Sequence, residues 1–203
     1  MDKPLGLLTL QGDYEKHRQA FAALGVETCG VRRPSELAQV SGLVIPGGES
    51  TTLTRLMDSN GLREPLLEFA SRRPIMGTCA GLIMLAGGLE DEQLADYGVQ
   101  PLGLLDCRVL RNGYGRQIDS FTADVGIDVL IDTDEPFPAV FIRAPRIAAV
   151  GLQTEVVAQL DGEPVAVRQG HLLGLTFHPE LTGDTRIHRY FVSLTRETDR
   201  AMA

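Results

Sequence analysis

The sequence predicts an α/β fold in three layers, a mostly parallel central sheet with helices on both faces. Three observations carry this expectation. The first half alternates short, continuous apolar runs with amphipathic stretches, the rhythm of parallel strands buried on both sides. Gly, Pro and Asp stand at the ends of those runs, where chain turns are made. At 203 residues and 43% hydrophobic, the chain is long enough to bury a core without disulfide or metal staples.

Leu5 to Leu10 reads as the first strand, punctuated by Gln11-Gly12-Asp13. Asp13 is placed to cap a helix carrying Ala20, Phe21 and Leu24 on its apolar side and ending at Gly25. Val26 to Val31 and Leu43 to Ile45 are expected strands, with a short helix opening at Pro34 between them. After Pro46-Gly47-Gly48-Glu49-Ser50, a helix is expected from Thr51. Pro74 to Gly77 then forms a strand and Ala80 to Ala86 a helix. The second half is β-rich: Leu104 to Leu110, Phe121 to Val125, Val140 to Arg143, Glu155 to Leu160 and Val165 to Gln169. Asp161-Gly162-Glu163-Pro164 joins the last two as a hairpin. A final strand, Leu172 to Phe177, precedes a polar helix from about Asp184 to Arg200. With no linker, repeat or low-complexity tract, residues 1–203 are expected to form a single domain.

Composition excludes several function classes. The 27 acidic residues exceed the 19 basic ones, for a net charge of −8, which disfavours a polyanionic partner. Trp is absent and aromatics make up 5%, so base-stacking platforms are not expected. Cys29, Cys79 and Cys107 show no CxxC or Cys/His spacing, so no metal site is expected. An odd cysteine count without a signal-peptide core fits a reducing cytoplasm. The longest stretch free of strongly polar side chains, Cys79 to Leu89, is too short to cross a bilayer.

Gly77-Thr78-Cys79-Ala80-Gly81 has the form of a nucleophile elbow between a strand and a helix. Such a turn lifts the central residue clear of the backbone, and the helix start favours thiolate. The Ala80 N–H would then face a developing oxyanion. A free cysteine is more often a small buried hydrophobe, so the elbow alone does not decide the matter. Phe177-His178-Pro179-Glu180, directly after the last strand, supplies what a cysteine nucleophile needs: a base, and a carboxylate two residues on to orient it. Pro46-Gly47-Gly48-Glu49-Ser50 adds glycines able to present N–H groups to an anion, without the GK[ST] of a P-loop. Cys29 and Cys107 read as packing residues, and His17 and His188 as solvated residues of polar helices. His171 has no neighbouring carboxylate. Arg111, Arg116, Arg143 and Arg146 are all candidates to bind a substrate carboxylate, and composition does not choose among them.

The elbow with His178-Pro179-Glu180 resembles the class I (triad) glutamine amidotransferases, whose fold is flavodoxin-like. Further stretches are similar to the glutaminase-subunit family of pyridoxal 5′-phosphate synthases, in the vitamin B6 pathway that starts from ribose 5-phosphate. They are Leu10 to Asp13, Pro46 to Thr52, Gly115 to Phe121, Phe141 to Pro145 and Phe177 to Thr182. The resemblance implies hydrolysis of L-glutamine to glutamate and ammonia through a γ-glutamyl thioester on Cys79, with His178 and Glu180 completing the triad. It implies Gly48 and Ala80 as the oxyanion hole, and Gly47, Gly48, Glu49, Arg111, Ile142 and Arg143 as the glutamine pocket. It favours Arg143 for the substrate carboxylate and places Gln11 near the site. It implies no cofactor, and a (β/α)8-barrel synthase partner in a complex of twelve copies of each subunit. The glutaminase of another amidotransferase, or a related cysteine hydrolase, is the alternative.

Overall fold

The computed structural model describes residues 3–90, 98–111, 120–130 and 135–202. Its centre is a seven-stranded sheet in the order β10-β11-β12-β4-β3-β1-β2. Five strands are parallel: β2 (Thr28–Val31), β1 (Leu5–Leu8), β3 (Leu43–Ile45), β4 (Ile75–Thr78) and β12 (Leu172–Leu175). β11 (Glu163–Gln169) and β10 (Glu155–Leu160) extend the sheet as antiparallel strands. The hairpin between them turns through Asp161 and Gly162 at φ 51° and 81°, the left-handed pair that a tight Asp-Gly turn requires.

Alternation along the strands divides the core in two. Leu8, Ile45, Ile75 and Leu172 face one side, where they meet the helices α2 (Pro34–Leu37), α3 (Ser50–Ser59), α4 (Arg63–Ala70) and α5 (Ala80–Leu85). Leu7, Val44, Met76 and Leu173 face the other, against α1 (Tyr14–Ala23) and α6 (Arg186–Met202). That second face is completed by the antiparallel pair β7 (Ser120–Val125) and β8 (Phe137–Ile142). A small third sheet joins β5 (Ala86–Leu89), β6 (Leu105–Leu110) and β9 (Arg146–Val150).

α4, β5 and β9 go beyond the expected elements. β5 is Ala-Gly-Gly-Leu, a poor strand former by itself, and it forms because β6 pairs with it. Two expectations are corrected. Asp13 stands at the N-cap of α1 but its side chain makes no cap hydrogen bond. His17 and His188 are not in water: both are fully buried, because α1 and α6 turn those side chains toward the sheet. Among the described residues, no helix is long and apolar enough to cross a membrane.

Candidate active site

Neighbouring strand order reverses at β1, whose neighbours are β2 and β3, and a sheet of this kind places its ligands at the carboxyl ends of the strands beside such a point. Each expected site residue follows a strand end: Gln11 after β1, Gly47 to Glu49 after β3, Cys79 after β4, Arg111 after β6, Arg143 after β8 and His178 after β12. A cavity of about 380 Å³ opens there, lined in part by Gly48, Glu49, Cys79, Ala80, Arg111, Ile142, Arg143 and His178.

Cys79 adopts φ 49° and ψ −105°, a strained conformation for a side-chain-bearing residue, held between β4 and α5. Its N–H donates to Leu175 O at 2.8 Å, tying the elbow to β12, and its carbonyl accepts from Ile83 N–H at 3.2 Å. The flanking glycines are required by space. A Cβ on Gly77 would strike Gly81 O, and one on Gly81 would strike Ile45 O. Ala80 opens α5, so its N–H lacks an intrahelical acceptor and is available at the cavity.

His178, the expected base, is held from two directions. His178 N–H donates to Val140 O at 2.8 Å, and the ring Nδ1–H donates to Glu180 Oε1 at 2.7 Å. His178 is 7% exposed and Glu180 4%, with Glu180 in the short 3-10 turn Pro179–Leu181. Burial alone would lower the imidazole pKa, but hydrogen bonds with the Cys79 thiol and with Glu180 outweigh it and raise the value to about 10. The imidazolium form is therefore favoured, as a thiolate partner requires. Burial acts to raise the Glu180 carboxyl, yet proximity to His17 and the bond from His178 hold it below its ordinary range.

The Gly47-Gly48 loop is seated by close approach. A Cβ on Gly47 would strike the His178 ring, and one on Gly48 would strike the Gln11 amide. Gly47 N–H donates to Thr78 Oγ1 at 3.0 Å, and Glu49 N–H donates to Gln11 Oε1 at 2.8 Å. The glycines thus meet a steric demand that reading them only as anion-facing amides did not anticipate.

The Glu49 carboxylate caps α3, accepting from Thr52 N–H and Thr52 Oγ1–H at 2.7 Å each, and it pairs with Arg111. Burial would raise its pKa, but these donors bring it down to about 2. The arginine candidates also separate. Arg146 pairs with Glu163 at 2.7 Å, and Arg111 with Glu49. Arg143, at φ 41°, lines the cavity, and no carboxylate among the described residues pairs with it. Arg116 and the Gly115 to Asp119 stretch lie outside the described residues. His171 contacts Ala70 O at 2.7 Å, away from this site.

Sequence reasoning missed Ser50 and Ile83 in the cavity wall, and His17 and His188 behind Glu180. The two histidines carried a signal: His17 is four residues from Phe21, and His188 is three from Phe191, so each shares a helix face with a core phenylalanine.

The model of the SNO glutamine amidotransferase family matches residues 7–197. A pyridoxal 5′-phosphate synthase subunit PdxT of Dehalococcoides mccartyi is 48% identical over 194 residues, covering 95% of this chain and 97% of that one. A protein of the same name from Mycolicibacterium vanbaalenii is 49% identical, covering 93% and 96%. A solved glutamine amidotransferase superposes with a TM-score of 0.87 at 40% identity, over 95% of this chain and 98% of that one. The chain belongs to the SNO glutamine amidotransferase family.

Proposed function

We propose that this chain, acting as one glutaminase domain, is the glutaminase subunit of a pyridoxal 5′-phosphate synthase. The observation that carries the reading is the convergence of Cys79, on a strained elbow, with a His178 raised to about 10 and bonded to Glu180. The names of the relatives, at 48% and 49% identity over nearly the whole chain, support the pathway.

In this mechanism, the Cys79 thiolate attacks the side-chain amide carbon of L-glutamine, and the C=O electrons move to oxygen. Gly48 and Ala80 N–H groups stabilise that oxyanion. The His178 imidazolium gives its proton to the departing nitrogen, which leaves as ammonia when the C–N bond breaks. The γ-glutamyl thioester remains on Cys79. Neutral His178 then takes a proton from water, whose oxygen attacks the thioester carbon and releases glutamate and the thiolate. Glu180 keeps the imidazole in the required tautomer throughout. Arg143, with no carboxylate partner among the described residues, offers its guanidinium to the substrate carboxylate, while Arg111, fixed by Glu49, shapes the wall with Ile142 and Gly47 behind it. Ammonia passes to a (β/α)8-barrel synthase subunit, in a complex of twelve copies of each.

The test is glutamate release with that synthase present. Cys79→Ala is expected to lose about 10⁴-fold or more in kcat, as removal of a nucleophile from a cooperating triad does. Full activity in Cys79→Ala would sink the mechanism, and absence of pyridoxal phosphate formation on mixing would sink the pathway assignment.

A further inference from the structure

Behind the triad lies a second buried polar cluster that the reaction above does not use. His17 on α1 and His188 on α6 are each 0% exposed. His17 Nδ1 lies 3.0 Å from His188 Nε2. His17 Nε2 lies 3.4 Å from Glu180 Oε2, the carboxylate oxygen that His178 does not hold, and 3.4 Å from Thr78 Oγ1. Phe21 packs edge-on against His188 with ring centroids 4.9 Å apart. Among the described residues, His188 Nδ1 has no hydrogen-bond partner.

These contacts fix the protons. Burial opposes a charge on both rings, so each imidazole carries one N–H. A bare His17 Nε2 would set its lone pair against a carboxylate oxygen, so Nε2 carries the hydrogen. His17 Nδ1 is then an acceptor, and His188 must donate to it from Nε2. His188 Nδ1 becomes a bare acceptor. That leaves a buried orphan acceptor instead of a buried orphan N–H, the rarer and costlier case. The opposite arrangement would orphan a donor and create the lone-pair clash as well.

We propose that His17 and His188 are positioning residues of this site: a neutral, tautomer-locked pair that restrains Glu180 Oε2, so that Oε1 stays aligned with His178 Nδ1. The inference rests on the triad reading. Neither histidine lines the cavity, so neither touches substrate. The effect is geometric. The terminal torsion of a glutamate is broad, and Oε2 has no well-formed hydrogen bond among the described residues. The His17 N–H, backed by His188, is the donor that faces it. The same cluster reaches the oxyanion loop, because Thr78 Oγ1 beside His17 accepts the Gly47 N–H. The charged and titratable groups that bear on the pair are Glu180 and His178 from the site, Asp13 ahead of α1 and Asp184 ahead of α6.

The experiment compares the wild-type chain with Cys79→Ala, His17→Phe, His17→Gln and His188→Phe. Glutamate release is measured with the synthase subunit present, and alkylation of Cys79 by iodoacetamide is followed across pH on the chain itself. His17→Phe keeps ring bulk and removes the donor. It is expected to lower kcat by roughly tenfold to a hundredfold with KM within about twofold. It is also expected to change the pH dependence of Cys79 alkylation relative to the wild-type chain. His17→Gln keeps an N–H donor and is expected to recover most of kcat. His188→Phe falls between the two, and it decides the matter by its alkylation profile should His17→Phe fail to fold. A purely structural role would lower Tm and leave the alkylation profile in place. Wild-type kcat and profile in both His17→Phe and His188→Phe would overturn the inference, as would a His17→Gln no better than His17→Phe. Activity in Cys79→Ala would instead overturn the triad reading. An inactive Cys79→Ala beside unimpaired histidine variants removes this inference alone.

Discussion

On one face of the central sheet, Leu8, Ile45, Ile75 and Leu172 meet α2 to α5 in a core of aliphatic and aromatic side chains, with hydroxyls such as Thr54 as its polar members. On the other face, Leu7, Val44, Met76 and Leu173 meet α1 and α6, and there the buried layer includes His17, His188 and, at the strand ends, Glu180. Apolar packing is non-directional, so the first face is specified mainly by volume. Buried imidazoles and carboxylates are specified by angle, proton and partner, and one wrong tautomer leaves an unpaired polar atom. The second face therefore couples stability to pH and to the geometry of His178, whereas the first supplies the platform from which Cys79 is presented.

The sharpest test of this contrast is a cavity in the first face. Leu53 is fully buried on α3, so Leu53→Ala is expected to cost about 2–5 kcal/mol in denaturant unfolding while leaving kcat nearly unchanged at a temperature where it is folded. A large kcat loss there would mean that the two faces are not separable in this way.

On the second face, the signature is pH. The His188 imidazole is pushed down to about 3, chiefly by its burial between α1, α6 and the sheet. The unfolded chain therefore binds a proton at His188 below the ordinary imidazole value of 6.5 that the folded chain refuses. Stability from this group is intact above that value and falls as the pH drops toward 3. Between pH 6.5 and about 4, His188→Phe is expected to flatten the acid loss of stability by about 3 kcal/mol, measured by urea unfolding at each pH. An unchanged slope would place the histidine in water after all.

Where the two faces meet at the strand ends, Gly47→Ala pushes a methyl group into the His178 ring. It is expected to reduce kcat about a hundredfold, close to 2.7 kcal/mol of barrier, with little change in Tm. The smallest effect belongs to Asp13→Ala. The Asp13 side chain makes no cap bond and α1 is anchored by His17 and Phe21, so the change is expected to be under about 0.5 kcal/mol by thermal unfolding.

Much of the site was legible because its parts are local. The elbow Gly77 to Gly81 and the His178-Pro179-Glu180 turn are short motifs whose spacing carries their geometry, and both stand at strand ends as expected. The parallel strands β1 to β4 were legible as apolar runs, and Asp161 to Pro164 as a hairpin connection, whose left-handed Asp161-Gly162 pair the structure added. The glycine-rich β5 was not legible, since its partner β6 lies some twenty residues on and imposes the conformation. Nor was the choice of arginine: all four carry the same charge, and only spatial pairing spends Arg146 on Glu163 and Arg111 on Glu49.

By itself the sequence determined the fold class and set the Gly77 to Gly81 elbow and the His178-Pro179-Glu180 turn at strand ends, because strand periodicity and tight turns act over a few residues. Tertiary structure alone decided that His17 and His188, 171 residues apart, meet within 3.0 Å behind Glu180. A histidine in a polar helix looks solvated until the helix is docked. Which face is buried depends on the sheet it covers, and the protonation of a buried ring depends on neighbours that the chain order does not name.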